Sequence, residues 1–147
     1  MLWLIPLNSD RYLFIFPERE VSVSGEENLR FEVRHLPVGL KDDVSDQISW
    51  YTEELLLGPV SNSLRPLFPQ GTASLSCFFR DGVLYVNLSE KALFSDGNSA
   101  ETETGCAIFK KNVFTNFKKV DRIVLCILDK EVYADSSLLA LSLEEKR

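Results

Sequence analysis

The sequence predicts an α+β domain built from a small sheet and two helices. Three observations lead to this prediction: a helical apolar stripe over 43–57, β-rich runs on either side of Asp81-Gly82, and a second helical stripe over 102–117 that precedes the apolar run 120–128. Apolar residues at helical spacing line one face of a helix, and β-rich runs around a tight turn are typical of a hairpin. Helices and strands therefore alternate within one chain of single-domain size.

Length and charge limit the classes of function. A chain of 147 residues buries about 70% of its unfolded surface, so it needs neither a disulfide nor a metal ion to fold. Apolar residues make up 45% and charged residues 26% of the sequence, and the net charge is −6. Nucleic-acid binding needs a basic face, so we do not expect nucleic acid among the partners.

The first helix is predicted over 43–57 with one buried stripe. The stripe consists of Val44, Ile48, Tyr51 and Leu55. Asp42, Asp43 and Asp46 lie at its start, where a helix N-terminus favours negative charge and needs side chains that cap its free N–H groups. Gly58 can adopt the left-handed conformation that ends a helix, and Pro59 cannot continue one.

A proline-containing loop and a hairpin follow. Pro66 and Pro69 keep the loop extended or turned. Asp81-Gly82 between two β-rich runs is a strong hairpin signal, because both residues tolerate positive φ. The second strand has one uniformly apolar face, which is the face expected to be buried. That face consists of Leu84, Val86 and Leu88.

Four further strands are predicted outside this region. The continuous apolar run 12–16 indicates a strand that is buried on both faces. Residues 29–36 alternate, with Leu29, Phe31 and Val33 opposite Arg30, Glu32 and Arg34, which indicates a half-exposed strand. Residues 120–128 form the last buried strand, and 131–133 a short final one. The turn between these two, at Asp129-Lys130, contains no glycine.

An ordered set of motifs resembles the GerMN domain, a family named for sporulation and spore germination. The matching positions are Leu56, Gly58, Pro59, Pro69, Gly71, Thr72, Asp81, Gly82, Asn87, Leu88 and Ser89. In the family pattern a helix ends in Leu-x-Gly-Pro, a Pro-x-Gly-Thr loop follows, and the second hairpin strand ends near Asp-Leu-Ser. Asn87 replaces the usual aspartate. The resemblance extends over 11–133.

The resemblance and the periodicities together imply the order strand, strand, helix, strand, strand, helix, strand, with both helices on one face of a small mixed sheet. The family fold is similar to the ring-building domains of secretion and sporulation complexes. We expect an N-terminal arm at 1–10, one GerMN-like domain at 11–133, and a tail at 134–147 that can form a short helix. Residues 1–7 are either the remnant of a signal or anchor segment or an apolar arm against the domain.

No arrangement in the sequence predicts catalysis, a cofactor or a metal site. His35 is the single histidine, so zinc sites and histidine-relayed triads lack the ligands or partners that they need. Nucleophile-elbow, P-loop and dinucleotide motifs do not occur. Two pairs of glutamates could be read as an acid and a base, but their positions on the predicted helices explain them. Glu53 and Glu54 fall on the solvent face of the first helix, and Glu101 and Glu103 on the first turn of the second.

The three cysteines lie far apart, and each is inside an apolar run. Cys77, Cys106 and Cys126 form no C-x-x-C pair. They are expected to be small buried hydrophobic residues. The alternative is one disulfide and one free thiol.

One basic cluster stands out in this acidic chain. It comprises Lys110, Lys111, Lys118, Lys119 and Arg122. The cluster is either a solvated surface near a helix C-terminus or a patch for an anionic partner such as lipid headgroups, a wall polymer or an acidic protein.

For function, the resemblance and the lack of a catalytic arrangement favour a non-enzymatic, envelope-associated domain that binds protein or cell-wall components. The alternatives are a self-assembling subunit of a ring-like or membrane-associated complex, and an enzyme of unknown type. The expected location is extracytoplasmic, either membrane-anchored or periplasmic, and the alternative is cytoplasmic. Membrane association is expected only through a missing or cleaved N-terminal segment.

Overall fold

A computed structural model describes residues 11–20, 28–37, 43–93 and 99–133. The elements are β1 (Arg11–Pro17), β2 (Leu29–His35), α1 (Val44–Leu57), β3 (Ser74–Arg80), β4 (Val83–Leu88), α2 (Ser99–Asn116), β5 (Arg122–Ile127) and β6 (Lys130–Glu131). A short 3-10 helix, Glu90–Ala92, follows β4. The α+β class and the predicted element order are confirmed. The arm at 1–10 and the tail at 134–147 lie outside the described residues.

The strands form two sheets, where the sequence predicted one. β1 and β2 pair antiparallel as a two-stranded sheet, and the other four strands pair in the order β3-β4-β5-β6. The second sheet is mixed, because β4 and β5 are parallel and its other pairs are antiparallel. The separation has a structural explanation: side chains of α2, and not another strand, occupy the second edge of β1.

Two asparagines one turn apart on α2 satisfy that edge. The Asn112 amide accepts from the Ile15 N–H at 2.6 Å and donates to the Ile15 carbonyl at 2.9 Å. Asn116 makes the same pair of bonds to Leu13, both at 2.8 Å. A carboxamide carries one acceptor and donors in the geometry of a peptide group, so it can replace a neighbouring strand. These bonds protect an edge that would otherwise be open to pairing.

Helix α1 forms where the sequence predicted it, and three of the four predicted stripe residues are buried, whereas Val44 is only partly buried. The Asp43 carboxylate accepts from the N–H of Ser45 at 2.8 Å, and at the other end the Gly58 N–H donates to the Leu55 carbonyl. The buried residues are Ile48, Tyr51, Thr52 and Leu55. Tyr51 lies at the centre of the core, stacked on Phe14 with ring centroids 4.4 Å apart.

Strand β2 does not follow the usual rule that the apolar face of a strand is buried. Phe31 and Val33 are exposed, whereas the side chain of Arg34 is only 15% exposed. Arg34 is held inward because its guanidinium lies over the Phe14 ring, 4.4 Å from the centroid, and donates to the Gly58 carbonyl at 2.8 Å. Contacts of Arg34 with Phe14 on β1 and with the end of α1 therefore hold this face of β2 inward.

The hairpin follows its sequence signal. Asp81 and Gly82 both have positive φ, 51° and 79°, as a two-residue turn of this kind requires. Leu84, Val86 and Leu88 are buried, as predicted, and they share one core with buried residues of α1, α2 and β5. The opposite face of the four-stranded sheet is only partly covered.

Candidate partner-binding face

The glycine and proline motif residues build loops. Gly58 has φ 93°, and a Cβ there would lie 3.2 Å from Pro66, so this position favours glycine on two grounds. Next to Pro59, the Glu32 carboxylate accepts from the N–H groups of Val60 and Ser61 at 3.0 and 2.9 Å. The loop after α1 is thereby tied to β2.

The second motif loop turns through Pro69 and Gly71. The Thr72 hydroxyl and N–H both bond to the Pro69 carbonyl, at 2.7 and 3.2 Å. Gly71 has φ 93° and lies against the side chain of Lys91. These contacts give the Pro-x-Gly-Thr segment a structural role in the turn that leads into β3.

A defined surface lies on the far side of the four-stranded sheet. We call this surface the outer face; it carries Ser76, Phe78, Arg80, Val83, Tyr85, Asn87, Arg122, Val124 and Cys126. The strand register places Phe78, Tyr85 and Val124 in one row across three strands. Phe78 is 50% exposed, and its ring stacks on Tyr85 with centroids 4.7 Å apart. Tyr133 is also exposed and follows β6.

A shallow depression of about 180 Å³ lies beside this row. Phe78 and Tyr85 line one part of it, and Asn87, Cys126 and Asp129 line another. Asn87 donates to the Asp129 carboxylate at 2.8 Å and accepts from the Asp129 N–H at 2.9 Å. We call this pair of hydrogen bonds the clasp, and it holds the β5–β6 turn. The turn residues are Leu128 and Asp129, with φ of 48° and 68° and no glycine, so the turn lies one residue earlier than the sequence predicted.

The predicted basic cluster is divided by the structure. Arg122 lies on the outer face, three residues after the exposed turn residues Lys118 and Lys119. Lys110 and Lys111 are half-buried on α2. They lie six and five residues before its last residue, Asn116, which is roughly 7–9 Å along the helix axis at about 1.5 Å per residue.

The sequence did not predict that a second arginine, Arg80, lies near Arg122 on the outer face. Arg80 lies in the same row of the outer face, because Val83 pairs with Arg80 on one side and with Arg122 on the other. Both arginines are exposed, and neither forms an ion pair within the described part of the chain. No sequence signal joins residues 42 positions apart, because only the parallel β4–β5 pairing brings them together.

The cysteines differ in environment, which corrects the expectation of three buried side chains. All three are free thiols. Cys106 is buried, and burial raises its pKa to about 12. Cys126 instead lines the depression, and its pKa is raised by partial desolvation and by the nearby carboxylates of Glu131 and Asp129.

A second cleft, of about 310 Å³, lies between the end of β1 and the loop after α1. Its lining is polar and consists of Glu18, Arg19, Glu20, Asn62 and Ser63. The Arg19 guanidinium already donates to the carbonyls of Asn62 and Leu64, at 3.1 and 3.2 Å. Arg19 therefore holds the loop in place.

The carboxylates that sequence analysis assigned to helix positions do not form a site. Glu53 is exposed on α1, and Glu101 and Glu103 are exposed near the start of α2. The expected solvent position of Glu54 is wrong, because Glu54 is half-buried and its carboxylate accepts from the Arg34 guanidinium at 3.4 Å. Within 11–20, 28–37, 43–93 and 99–133, no group of three or more His, Cys, Asp or Glu side chains is arranged to hold a metal ion. In the same ranges no helix has the length and apolar character that crossing a membrane requires.

The fold and its motif loops define a two-helix α+β domain of GerMN type. The family described as sporulation and spore germination (Germane) matches residues 21–132, and the chain belongs to this family. The resemblance predicted from the sequence is thereby confirmed. The description of the family refers to sporulation and germination and not to an enzyme class. No curated protein matches the chain.

Two solved structures share the fold. A putative lipoprotein from Clostridium perfringens is 16% identical with a TM-score of 0.51, over 84% of this chain and 78% of that one. The tandem GerMN domains of the sporulation protein GerM from Bacillus subtilis are 13% identical with a TM-score of 0.54, over 84% of this chain. The match spans 41% of that tandem chain. Identities this low show a common fold alone.

Proposed function

We propose that the chain is a non-catalytic binding domain of the cell envelope, which recognises a protein or a cell-wall component through the outer face. The main support for this proposal is that the half-exposed Phe78 stacks on Tyr85 within a row of apolar side chains on the outer face. An exposed apolar patch with charged neighbours is typical of interaction sites. The sheet is anchored by its buried face, so the patch is presented on a firm support.

Family membership and structural likeness support the envelope location. The chain belongs to a sporulation and germination family, and one protein of similar fold is described as a lipoprotein. An envelope domain that binds other components needs an exposed recognition surface and no reactive centre. The outer face supplies such a surface.

The first test is fractionation of native cells with detergent-phase partitioning of the protein. We expect the protein in the membrane phase or in the extracytoplasmic fraction. A cytosolic protein would overturn the envelope assignment.

The second test measures binding of the purified chain to isolated envelopes by co-sedimentation. Phe78→Ser is expected to weaken binding, whereas Phe31→Ser is a matched control, because Phe31 is 56% exposed on the other sheet. Equal effects of the two variants would exclude the outer face as the binding surface.

A second candidate function is self-assembly, favoured by the position of β3. β3 is the first strand of its sheet, so one of its edges has no strand partner among the described residues. Leu75 on this strand is also exposed. Free strand edges pair readily with other chains.

Sedimentation velocity over a range of protein concentrations separates the two candidates. Assembly predicts an oligomer at low micromolar concentration that Leu75→Lys dissociates, because a lysine on an edge strand opposes pairing. A monomer at every concentration would leave the binding domain as the function.

A further inference from the structure

We propose that the outer face binds a short acidic segment of a partner protein, with a carboxylate on Arg80 and Arg122 and an apolar side chain in the depression beside Phe78. The inference rests on the proposed function and specifies the chemistry of the partner. The site consists of two adjoining parts of the outer face, one cationic and one apolar.

The apolar part has the size of a side-chain pocket. Its volume of about 180 Å³ is below the roughly 300–1,000 Å³ of typical small-molecule sites. Phe78 and Tyr85 form an apolar wall, whereas Asn87 and Asp129 are paired with each other and form a polar rim. A single large apolar side chain, surrounded by peptide, matches this lining.

The cationic part is complementary to a carboxylate. Arg80 and Arg122 flank Val83 on the same face, and guanidinium groups bind carboxylates with two parallel hydrogen bonds. Lys118 and Lys119 add positive charge at the same end of the sheet.

Two carboxylates lie near the arginines at this end of the four-stranded sheet, those of Asp81 and Asp121. Asp121 lies beside the hairpin turn, because a Cβ added at Gly82 would be 2.5 Å from the Asp121 carboxylate. Asp81 is the other residue of this turn. This end of the sheet therefore carries four cationic side chains and two carboxylates, and Arg80 and Arg122 are exposed to an incoming anion.

The spacing of the two parts restricts the segment. The Arg80–Val83–Arg122 row and the Phe78–Tyr85–Val124 row are two residues apart along the strands, which is roughly 7 Å. An acidic and an apolar side chain separated by this distance can contact both rows at once. Such pairs occur at i and i+2 of an extended segment and at i and i+4 of a helix.

A protein segment fits both parts, whereas an anionic polymer fits only one. A polyphosphate chain offers charge to the arginines but nothing to the wall formed by Phe78 and Tyr85. Binding that depends on both parts therefore requires a partner with acidic and apolar side chains together.

The experiment selects short random peptides displayed on phage against the full chain. We expect enriched peptides with an acidic residue two or four positions from a large aliphatic or aromatic residue. Enrichment without this pair of residues, or no enrichment, would overturn the proposal.

Binding of the enriched peptide is then measured by fluorescence polarisation. Phe78→Ser and Arg122→Glu should each reduce affinity by about tenfold or more, as expected for loss of a central anchor. The controls Phe31→Ser and Arg30→Glu make the same changes on β2 and should leave affinity unchanged. Arg30 and Phe31 are both exposed.

Two further measurements keep the result independent of folding defects. Bound peptide should slow the reaction of Cys126 with a thiol reagent in the unmodified chain, because Cys126 lines the depression. Inorganic polyphosphate is the competing probe. If it binds as tightly as the peptide and Phe78→Ser has no effect on either, the site is a general anion patch and the proposal fails.

The outcome is separable from that of the proposed function. A protein that fractionates with the envelope but selects no acidic, apolar peptide refutes this inference and leaves the envelope function standing. A cytosolic protein that selects such peptides refutes the envelope function and supports the acidic-segment site.

Discussion

The side-chain amide of Asn112 is paired with the peptide group of Ile15, as a neighbouring strand would be. The two hydrogen bonds measure 2.6 and 2.9 Å, and Asn112 is fully buried. Its oxygen also accepts from the Tyr51 hydroxyl at 3.0 Å, so one amide joins α2, β1 and α1. This contact ends the first sheet at β1 and connects the two helices.

Replacing Asn112 should be among the most damaging single changes in the domain. Asn112→Leu leaves the Ile15 N–H and carbonyl buried without partners, which we expect to cost about 2–5 kcal/mol of unfolding free energy. Urea denaturation measures this loss. Asn62→Leu, in an exposed loop, is the control and should change stability by less than about 0.5 kcal/mol. Equal stability of the two variants would contradict the role given to the amide.

Asn87→Asp tests the clasp that holds the β5–β6 turn. The new carboxylate would face the Asp129 carboxylate, which accepts from Asn87 at 2.8 Å. We expect a loss of about 1 kcal/mol at neutral pH. Repulsion between the two carboxylates raises the folded-state pKa of the introduced carboxyl group. The loss of stability is therefore complete above that pKa, and it disappears as pH falls below the pKa of the same group in the unfolded chain.

The pH dependence is what separates charge repulsion from simple loss of a bond. Unfolding free energy of Asn87→Asp should recover relative to that of Asn87→Ala as the solution is acidified. A constant difference between the two variants across pH would show that repulsion is not the cause.

Glu32 should contribute to acid sensitivity. Partial burial acts to raise the pKa of Glu32, but hydrogen bonds from Ser61 and Val60 and the guanidinium of Arg34 outweigh it, and the pKa lies below the usual 4.5. The folded-state pKa is depressed, so this stabilisation is present above the unfolded value and is lost as pH falls through the folded one.

Stability measured against pH for Glu32→Gln tests this assignment. The variant should be less stable than the unmodified chain at neutral pH, and the difference should shrink below pH 4.5. Parallel curves would mean that Glu32 has the same pKa in both states.

Leu55→Ala tests the buried face of α1. Leu55 is 1% exposed, so truncation should cost about 2–5 kcal/mol through lost burial and a cavity. Leu57 on the same helix is 78% exposed and provides the matched control, with an expected change below about 0.5 kcal/mol for Leu57→Ala. A loss below this limit at Leu55 would mean that the helix buries another face.

The three thiols should react at different rates. Cys126 lines an open depression, whereas Cys106 is buried with a pKa of about 12, so Cys126 should react first with a disulfide reagent at neutral pH. Cys126→Ser should remove this fast phase. Glu131→Gln should accelerate it, because the Glu131 carboxylate helps to raise the Cys126 pKa. A fast phase that persists in Cys126→Ser would contradict the assignment.

The sequence by itself determined the local elements. The stripe of apolar residues that includes Tyr51 and Leu55 predicted α1, and Asp81-Gly82 predicted the hairpin with its buried Leu84 and Val86. Periodicity and turn chemistry act over a few residues, so they can be read without knowing the fold. The ordered Gly-Pro and Pro-x-Gly-Thr loops also predicted the family.

Only the tertiary structure decided the contacts between distant segments. It placed Asn112 on the edge of β1 and so divided one predicted sheet into two. It turned Arg34 inward, and it placed Arg80 and Arg122 on either side of Val83 to form the cationic part of the outer face. Each of these results depends on pairing between residues 20 or more positions apart. Such pairing is selected by the free energy of the whole core, and short-range sequence patterns carry no record of it.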